Sequence, residues 1–471
     1  MSLLIYLISF LEWFTTLSIE IVALRNFTPI IGTNSISTSI ILWVILLALS
    51  YWYFIGWKKS KKLKKEEIKN KVILNLSIAW FYYVFFTFIV DKLVLVNLLE
   101  YTRSYFIAIL LSSLILFFIP VFLASQTIPL LSEILKWDNV WEKMWKLLFF
   151  STVWSFMWSV VTSIVLFPSI WVEKTAIFNS FILSLIALIL ASSWFKKINF
   201  PIIISIIVFL FSSLLLSSQW YQSKNIIYKE ANSYHNIQVV ENEKNQRILL
   251  QNHWYASGIN IDSWESYFKY IKEIKSRILD NNYNNILVIW AAGFTLPNEL
   301  SEYDSINKID VVDVDKNLKS IAETYFLQKN LSDKIIFYSQ PSRYFIKNKI
   351  SKKKKYDAVV IDIYVWKSLP PQTLTYEFFT SLSNISDDIY INIITDKKLK
   401  SDFSKKLLST LDKAFWEIYF KDVNQWKNSS NKSNFVISNI SSSWYTRYLN
   451  LSWKDIYYDN KNSIEVDLFN Q

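Results

Sequence analysis

Two aspartates that follow apolar runs have the type and position to do chemistry. Asp313 closes a strand predicted at 308–314, and Asp362 follows the apolar run 358–361. Open α/β sheets bind ligands at the carboxyl ends of their parallel strands, where an acid commonly holds the ribose hydroxyls of a nucleoside. A carboxylate at such an edge can also accept a proton. The pair therefore favours a nucleoside pocket with a general base, although a single strand-terminal Asp is more often a cap or turn residue.

A turn with small residues precedes Asp313 along the chain. It is formed by Trp290, Ala291, Ala292 and Gly293. The turn joins a strand predicted at 285–290 to a helix near 297–302. Nucleotide-binding α/β units need small residues here so that the backbone can approach the ligand, and a ribose-binding acid follows about 20 residues later. Asp313 has the expected offset, but Trp290 is too large for the pattern.

Tryptophan is unusually common in this chain and glycine unusually rare. The 471 residues include 21 Trp and only 4 Gly, whereas average usage would give about 33 glycines. Trp290 lies in the small-residue turn, and Trp154 and Trp158 lie mid-segment in an apolar helix with the spacing of small-residue helix contacts. We therefore expect many of these tryptophans, with Trp254 and Trp366 among them, to be glycines in the native protein, encoded by UGA and translated here as Trp. The alternative is a Trp-rich membrane protein with aromatic belts.

The two halves of the chain differ in composition. Residues 1–218 are mostly long apolar runs, which predict an N-terminal α-helical transmembrane bundle. About seven spans are expected, near residues 3–24, 37–57, 72–90, 104–124, 147–168, 174–194 and 199–217. Residues 219–262 are predicted to form a small β region, and residues 263–471 a larger domain.

Strands and helices alternate in this larger domain. A helix is predicted at 263–279, where apolar residues recur with helical periodicity. Strands are predicted at 285–290, 308–314, 334–338 and 357–363, with a helix at 316–328 and a basic linker at 352–355. This alternation predicts an α/β Rossmann-like, methyltransferase-type doubly wound parallel sheet.

A lysine cluster at 58–65 lies beside a predicted span. It indicates a positive-inside anchor, so we assign the net charge of +11 to membrane binding and not to nucleic acid. We expect a multi-pass protein of the plasma membrane, with the lipid bilayer as a partner. Seven spans would place the C-terminal domain outside the cell, so we favour one miscounted segment and a cytoplasmic C-terminal domain.

Two charged residues flank the end of the first predicted span. Glu20 and Arg25 stand where charges are costly and often functional. The alternative is structural, with Arg25 reaching the membrane interface and Glu20 pairing with it. We weigh the two interpretations of this membrane polar pair equally.

Metal and thiol chemistry are not expected. The chain has no Cys and only two histidines, His235 and His253. Thiol zinc sites and iron–sulfur clusters need cysteines, and a Ser-His-Asp triad or a His-based metal centre needs suitably placed histidines. We therefore predict a site without a metal.

The C-terminal half resembles the spermidine synthases, aminopropyltransferases with a methyltransferase-like Rossmann fold. Residues 286–300 look like the family's Gly-rich loop and helix, and 311–315 look like its Val-Glu-Ile-Asp strand. Residues 356–379 are similar to its Tyr-Asp-x-Ile-x-x-Asp strand and the following Thr-x-Glu-Phe-Phe segment. Residues 234–237 resemble the Tyr-Gln-x-Ile of its N-terminal β region, with His235 in place of Gln. The membrane half resembles the integral-membrane branch of the family, with Trp at its Gly positions.

The resemblance implies transfer of an aminopropyl group from decarboxylated S-adenosylmethionine to a polyamine or another small amine. It also allows a homo-oligomer. Asp362 is then the catalytic proton acceptor, and amine binding is expected from Tyr234, His235 and Asp362. Nucleoside binding is expected from Trp290, Ala291, Ala292, Gly293, Asp313, Val314 and Gln340.

Three positions depart from the family pattern. Gly293 stands where the loop usually carries an acid that helps to hold the amine, and Gln340 where an acid contacts adenine. Val365 replaces a second Asp after Asp362. With fewer acids, a dication such as putrescine should bind weakly. Two alternatives stay open: a methyltransferase that uses ordinary S-adenosylmethionine, and a transporter-like or scaffold protein with a vestigial nucleoside-binding domain.

Overall fold

The computed structural model divides the chain into two compact units. The first contains Met1–Gln222 and Glu230–Ser233, and the second contains Ser223–Lys229 and Tyr234–Gln471. The structure describes residues 15–27, 35–60, 63–84, 91–102, 104–134, 159–170, 172–194, 225–232, 234, 236–252, 254–353, 355–362, 370–423, 431–449 and 455–461, with isolated residues at 149–157, 203–214 and 463–467.

The described residues of Met1–Gln222, which make up most of the first unit, are mainly helical. The α-helices are α1 (residues 15–27), α2 (Ser35–Ser60), α3 (Lys65–Val84), α4 (Asp91–Thr102), α5 (Tyr105–Ser113), α6 (Ile119–Ala124), α7 (Thr127–Ile134), α8 (Phe167–Ile170) and α9 (Val172–Trp194). Two π-helical segments, Leu114–Phe118 and Thr162–Leu166, lie between α5 and α6 and just before α8.

Two helices among the described residues are apolar and long enough to cross a membrane. They are Phe106–Leu131 and Lys174–Trp194, with mean hydropathies of 2.8 and 2.1. This criterion rests on length and composition alone, and a buried core helix of a soluble protein also meets it. The spans predicted near 3–24, 147–168 and 199–217 are only partly covered by the described residues. Seven spans therefore stay a prediction.

The second unit begins with a four-stranded sheet in the order β1-β2-β3-β4. Its strands are β1 (Ile226–Ala231), β2 (Asn236–Glu241), β3 (Gln246–Gln251) and β4 (Trp254–Asn260). The β2–β3 and β3–β4 pairs are antiparallel. Asn245 and Asn252 have φ of 56° and 52° at the two turns, a conformation that Asn tolerates better than most residues.

An eight-stranded sheet forms the centre of the second unit, in the order β12-β10-β11-β9-β8-β5-β6-β7. Its strands are β5 (Asn285–Ile289), β6 (Lys308–Asp313), β7 (Ile335–Ser339), β8 (Tyr356–Ile361), β9 (Ser386–Asp396), β10 (Tyr419–Asp422), β11 (Lys432–Ser438) and β12 (Thr446–Arg447). The five strands β5 to β9 are parallel, whereas β10, β11 and β12 are antiparallel to their neighbours. The parallel sheet predicted from the strands between 285 and 363 is confirmed by β5, β6, β7 and β8. Strand β11 adds antiparallel to β9, and β10 and β12 extend this antiparallel edge beyond the region in which strands were predicted.

The helices of this unit are α10 (Lys269–Asp280), α11 (Thr295–Ser301), α12 (Leu318–Ile321), α13 (Ser342–Ser351), α14 (Tyr376–Ser383) and α15 (Asp402–Phe415). The helix predicted at 263–279 begins late, because Ser266 pairs with Ile259 in a β-bridge and Trp264 is left-handed. The helix predicted at 316–328 is a short α12 followed by a π-helical segment, Ala322–Phe326. Helix α13, which buries Phe345 and Ile346, was not predicted.

The central strand β5 is buried on both faces, which explains why its sequence is a continuous run of apolar residues. Ile286 and Val288 pack into one hydrophobic core cluster, and Leu287 and Ile289 pack into a second. A parallel strand buried on both faces has no polar alternation, so it reads as a continuous apolar run. The two clusters hold the carboxyl end of β5 in place beside β6 and β8.

Candidate active site

Asp362 lies at the carboxyl end of β8. Its backbone N–H donates to the carbonyl of Ile289 in the neighbouring β5, at 3.1 Å. The hydroxyl of Tyr270 donates to Oδ2 at 2.9 Å, and the amide Nδ2 of Asn392 donates to Oδ1 at 2.8 Å. Both carboxylate oxygens are thus held, and the side chain stays partly exposed. The carboxylate has a fixed orientation at the sheet edge.

The surroundings of Asp362 suit proton transfer near neutral pH. Burial raises the pKa of its carboxyl to about 6, while the hydrogen bonds from Asn392 and Tyr270 act in the opposite direction. A general base works best when its pKa lies near the working pH. A carboxyl with a pKa of about 6 is mostly ionised at pH 7 and can then accept a proton.

The turn after β5 is strained. Trp290, Ala292 and Phe294 have φ of 63°, 42° and 58°, and none of them is Gly. Non-glycine residues in left-handed backbone cost on the order of 1–3 kcal/mol each. Trp290 is nevertheless anchored, since its N–H donates to the carbonyl of Val312 at 2.9 Å. The backbone of this turn therefore adopts a conformation that glycine favours, although the residues that form it disfavour it.

Gly293 has no room for a side chain. Its N–H donates to the hydroxyl of Ser257 in β4, at 2.9 Å. A Cβ at this position would lie 2.6 Å from the ring of Phe326 and 2.8 Å from the Cβ of Ser257. The acid that the family pattern would place here is therefore absent, and the present packing excludes it.

Gly293→Ala should lower the free energy of unfolding by about 1–3 kcal/mol, the range for an overpacked core. Thermal unfolding of the full chain measures the effect. Adding Phe326→Leu should restore part of the loss, because Phe326 makes the shortest contact with the added Cβ. An unchanged melting temperature for Gly293→Ala would contradict this packing.

Asp313 lies buried at the carboxyl end of β6. Its Oδ1 accepts the N–H of Asp315 at 3.0 Å, and its carbonyl accepts the N–H of Gln340 at 2.9 Å. Burial raises the pKa of its carboxyl to about 7; the backbone N–H groups of Asp315 and Val314 lower it, and the Asp315 carboxylate raises it. Val314 and Gln340 are partly buried beside it. The two hydroxyls of a ribose would supply the donors that favour the ionised form.

Asp313→Ala should weaken binding of an adenosyl ligand by about 1.5–3 kcal/mol, the range for a hydrogen bond to a charged group. The pH dependence has a definite sign. The carboxylate form binds, so affinity should fall as the pH drops below about 7, where Asp313 takes up a proton. Calorimetric titration can measure this affinity over a range of about three pH units around that pKa, from pH 5.5 to 8.5. The affinity should depend on pH in the wild type and not in Asp313→Asn. A pH dependence that persists in Asp313→Asn would assign it to another group.

The residues predicted to bind the amine are less clearly placed. Tyr234 lies between β1 and β2 with 51% of its surface exposed, and His235 and Val365 lie outside the described residues. The contacts of Asp362 come instead from Tyr270 and Asn392. Tyr234 and His235 stay predictions.

Sequence reasoning did not identify Tyr270 and Asn392 as site residues. Tyr270 falls on the apolar face of its helix, where its ring is buried, so its position in the sequence pattern is that of a core residue. Asn392 carried a signal that could have been used, because it interrupts the apolar run of β9 between Ile391 and Ile393. A buried amide in a central strand needs a polar partner.

In the first unit, Arg25 has defined partners. Its Nη2 donates to the backbone carbonyl of Asn232 at 3.0 Å, and its guanidinium lies 5.7 Å from the centre of the Phe167 ring. Glu20 is partly buried on the same helix, α1. These contacts give Arg25 a structural role, and a functional role for the pair stays a prediction.

No protein-family model matches the chain. Three solved structures are similar at 15% sequence identity and a TM-score of 0.39. A probable spermidine synthase from Corynebacterium glutamicum ATCC 13032 matches over 45% of this chain and 80% of its own. The spermidine synthase from Thermotoga maritima matches over 53% and 85%, and a spermidine synthase in complex with the transition-state analogue AdoDATO over 53% and 86%.

A sequence relative gives a more direct comparison. The polyamine aminopropyltransferase of Vibrio vulnificus (strain CMCP6) is 26% identical over 230 residues, which cover 45% of this chain and 73% of that protein. The Rossmann-like sheet, the strand-terminal acids and this similarity agree. The chain therefore contains a spermidine synthase-like region, homologous to a polyamine aminopropyltransferase.

Proposed function

We propose that the C-terminal domain is an aminopropyltransferase that uses decarboxylated S-adenosylmethionine, with Asp362 as general base. The observation that carries the proposal is the carboxylate of Asp362, held by two donors at the carboxyl edge of the sheet. Asp313 stands two strands away on the same edge, where it would hold the ribose. The homology to a polyamine aminopropyltransferase supports the same reaction class.

Every bond, electron pair and proton of the proposed reaction is accounted for by the amine, the sulfonium donor and Asp362. The neutral amine nitrogen attacks the propyl carbon attached to the sulfonium, so a C–N bond forms and the C–S bond breaks. The electron pair of that bond stays on sulfur, which leaves as a neutral thioether nucleoside. Asp362 accepts the proton that the amine nitrogen loses. A carboxyl that is mostly ionised at pH 7 can do this, whereas a protonated one cannot.

Ligand preference tests the proposal against its two alternatives. Calorimetry on the purified full chain, with decarboxylated and ordinary S-adenosylmethionine as separate ligands, should show tighter binding of the decarboxylated form. Preference for the ordinary form would instead support a methyltransferase. Absence of binding by either would support a vestigial domain and contradict the proposal.

The membrane assignment is the second part of the proposal. We infer that the first unit anchors the enzyme in the plasma membrane as a multi-pass bundle and that the C-terminal domain lies in the cytoplasm. Two described helices, Phe106–Leu131 and Lys174–Trp194, are long and apolar enough to support this. The lysine cluster at 58–65 supports a cytoplasmic loop. Protease protection in sealed vesicles, read separately for each loop, tests the arrangement.

The third part concerns the tryptophans. We propose that Trp264, Trp290 and Trp416 stand where the native protein has Gly, through UGA codons. Their φ values are 58°, 63° and 67°, in a region that bulky residues rarely adopt and that Gly adopts freely. Trp154, Trp158 and Trp366 lie outside the described residues, and Trp254 begins β4 and is not among the described residues with positive φ. UGA codons at these positions in the gene would support recoding, and UGG codons throughout would end it.

A further inference from the structure

We propose that Tyr270 and Asn392 are positioning residues that hold the Asp362 carboxylate in the orientation needed to take a proton from the amine. The expected effects on turnover rest on the proposed function. The hydrogen bonds from Tyr270 and Asn392 to Asp362 do not depend on it, because both are contacts within the chain.

The two donors approach from different elements. Tyr270 comes from α10 and bonds Oδ2, while Asn392 comes from β9 and bonds Oδ1. One hydrogen bond would still allow the carboxylate to rotate about its Cβ–Cγ bond. Two bonds to separate oxygens fix the plane of the group, and with it the direction of its remaining lone pairs. The arrangement thus selects one approach direction for an incoming N–H.

Asn392 is poorly explained as a packing residue. Its side chain is buried in the central sheet, and within the described part of the chain its Oδ1 has no hydrogen-bond partner. A buried acceptor without a partner is destabilising, so an apolar residue like the neighbouring Ile391 and Ile393 would pack at lower cost. The bond from Nδ2 to Asp362 gives a reason for an amide at this position.

Tyr270 combines a packing ring with a polar tip. Its ring belongs to the first hydrophobic core cluster and stacks on Phe268, with ring centres 5.7 Å apart. Its hydroxyl donates to the carboxylate of Asp362. Tyr270→Phe therefore keeps the packing and deletes the donor. Asn392→Leu likewise removes the amide while keeping the branching of the side chain, with two methyl groups in place of the amide oxygen and nitrogen.

Kinetics on the full chain give the first test. Tyr270→Phe and Asn392→Leu should each lower kcat about tenfold, with the KM for decarboxylated S-adenosylmethionine unchanged. The acid limb of the pH profile of kcat should move to higher pH, because each variant loses a donor that favours the ionised carboxylate. In the described contacts Tyr270 is the titratable side chain facing Asp362, and Asn392 does not titrate. If the acid limb of the pH profile of kcat lies at the same pH in both variants as in the wild type, the proposal is wrong.

A second readout does not need turnover. Carbodiimide labels protonated carboxyls, so the pH midpoint of labelling at Asp362, followed by peptide mass spectrometry, reports its ionisation. The midpoint should rise by about one pH unit in either variant, which corresponds to a tenfold change in proton affinity. The matched control is Tyr283→Phe, which deletes a similar hydroxyl bonded to the carboxylate of Asp388 in β9.

The outcomes separate the two proposals. A midpoint that rises in Tyr270→Phe and Asn392→Leu but not in Tyr283→Phe supports positioning, even if the wild type shows no turnover on any amine. That absence of turnover would count against the proposed function alone. An unchanged midpoint, or an equal rise in Tyr283→Phe, would overturn the positioning role.

Discussion

Asp362→Asn should lower turnover by about 10²–10⁴-fold, because a general base typically accelerates a reaction by that factor. The adenosyl ligand should still bind. The amide is nearly isosteric with the carboxylate, so the pocket keeps its shape. It cannot accept the proton of the attacking amine, however. In the wild type, kcat should rise with pH through about 6, where the carboxyl ionises. The loss in Asp362→Asn should shrink at high pH, where free amine becomes available.

Asp357→Asn is the matched control for this experiment. Asp357 lies on the same strand, β8, toward its amino end, where Oδ2 accepts the N–H groups of Asn284 and Asn285 at 2.8 and 2.7 Å. The same chemical change there should leave kcat near the wild-type value. Comparable losses in both variants would show that Asp362 acts through folding, and near-wild-type turnover in Asp362→Asn would remove it from the mechanism.

Trp290→Gly should relieve about 1–3 kcal/mol of strain, the cost of a bulky residue in left-handed backbone. The free energy of unfolding should rise by the part of this that exceeds the lost packing of the half-buried indole against the second hydrophobic core cluster. Glycine adopts a φ of 63° without penalty, and loss of the indole opens the turn where backbone and ligand meet. The melting temperature should rise by about 2–4 °C for each kcal/mol in a domain of this size. Affinity for the adenosyl ligand should rise as well.

Two exposed tryptophans provide a matched pair that tests whether glycine relieves strain in left-handed backbone. Trp416 and Trp444 expose 75% and 78% of their surface, so neither change removes much packing. Trp416 follows α15 with a φ of 67°, whereas Trp444 is not among the described residues with positive φ. Trp416→Gly should therefore stabilise the protein and Trp444→Gly should not. Equal shifts in the two variants, or no shift for Trp290→Gly, would contradict the strain argument.

The sequence was sufficient for features that depend on local pattern. The apolar run of β5 and the acids that follow β6 and β8 predicted where a ligand site would lie, because parallel strands end at one edge. The antiparallel edge was not predictable in the same way. Pairing of β11 with β9 joins residues that are far apart in the chain, and hydrophobic patterning does not encode which strand a segment will join.

The parts of the site that sequence reasoning missed are set by tertiary packing. Tyr270 has the periodicity of a core residue, and nothing local shows that its hydroxyl reaches Asp362, 92 positions away in the chain. The exclusion of a side chain at Gly293 likewise depends on Phe326, which arrives from the end of a different helical segment. Sequence alone showed that an acid was absent there, and the structure supplies the steric reason.

The most direct test of the proposed aminopropyltransferase activity is a product assay on the full chain. The protein is incubated with decarboxylated S-adenosylmethionine and a panel of mono- and diamines, and mass spectrometry follows the aminopropylated amine together with the thioether nucleoside. We expect both products to form in equal amounts. Asp357→Asn should form them at a rate comparable to that of the wild type, and Asp362→Asn about 10²–10⁴-fold more slowly. A protein that binds the nucleoside but forms neither product with any amine would contradict the proposed activity.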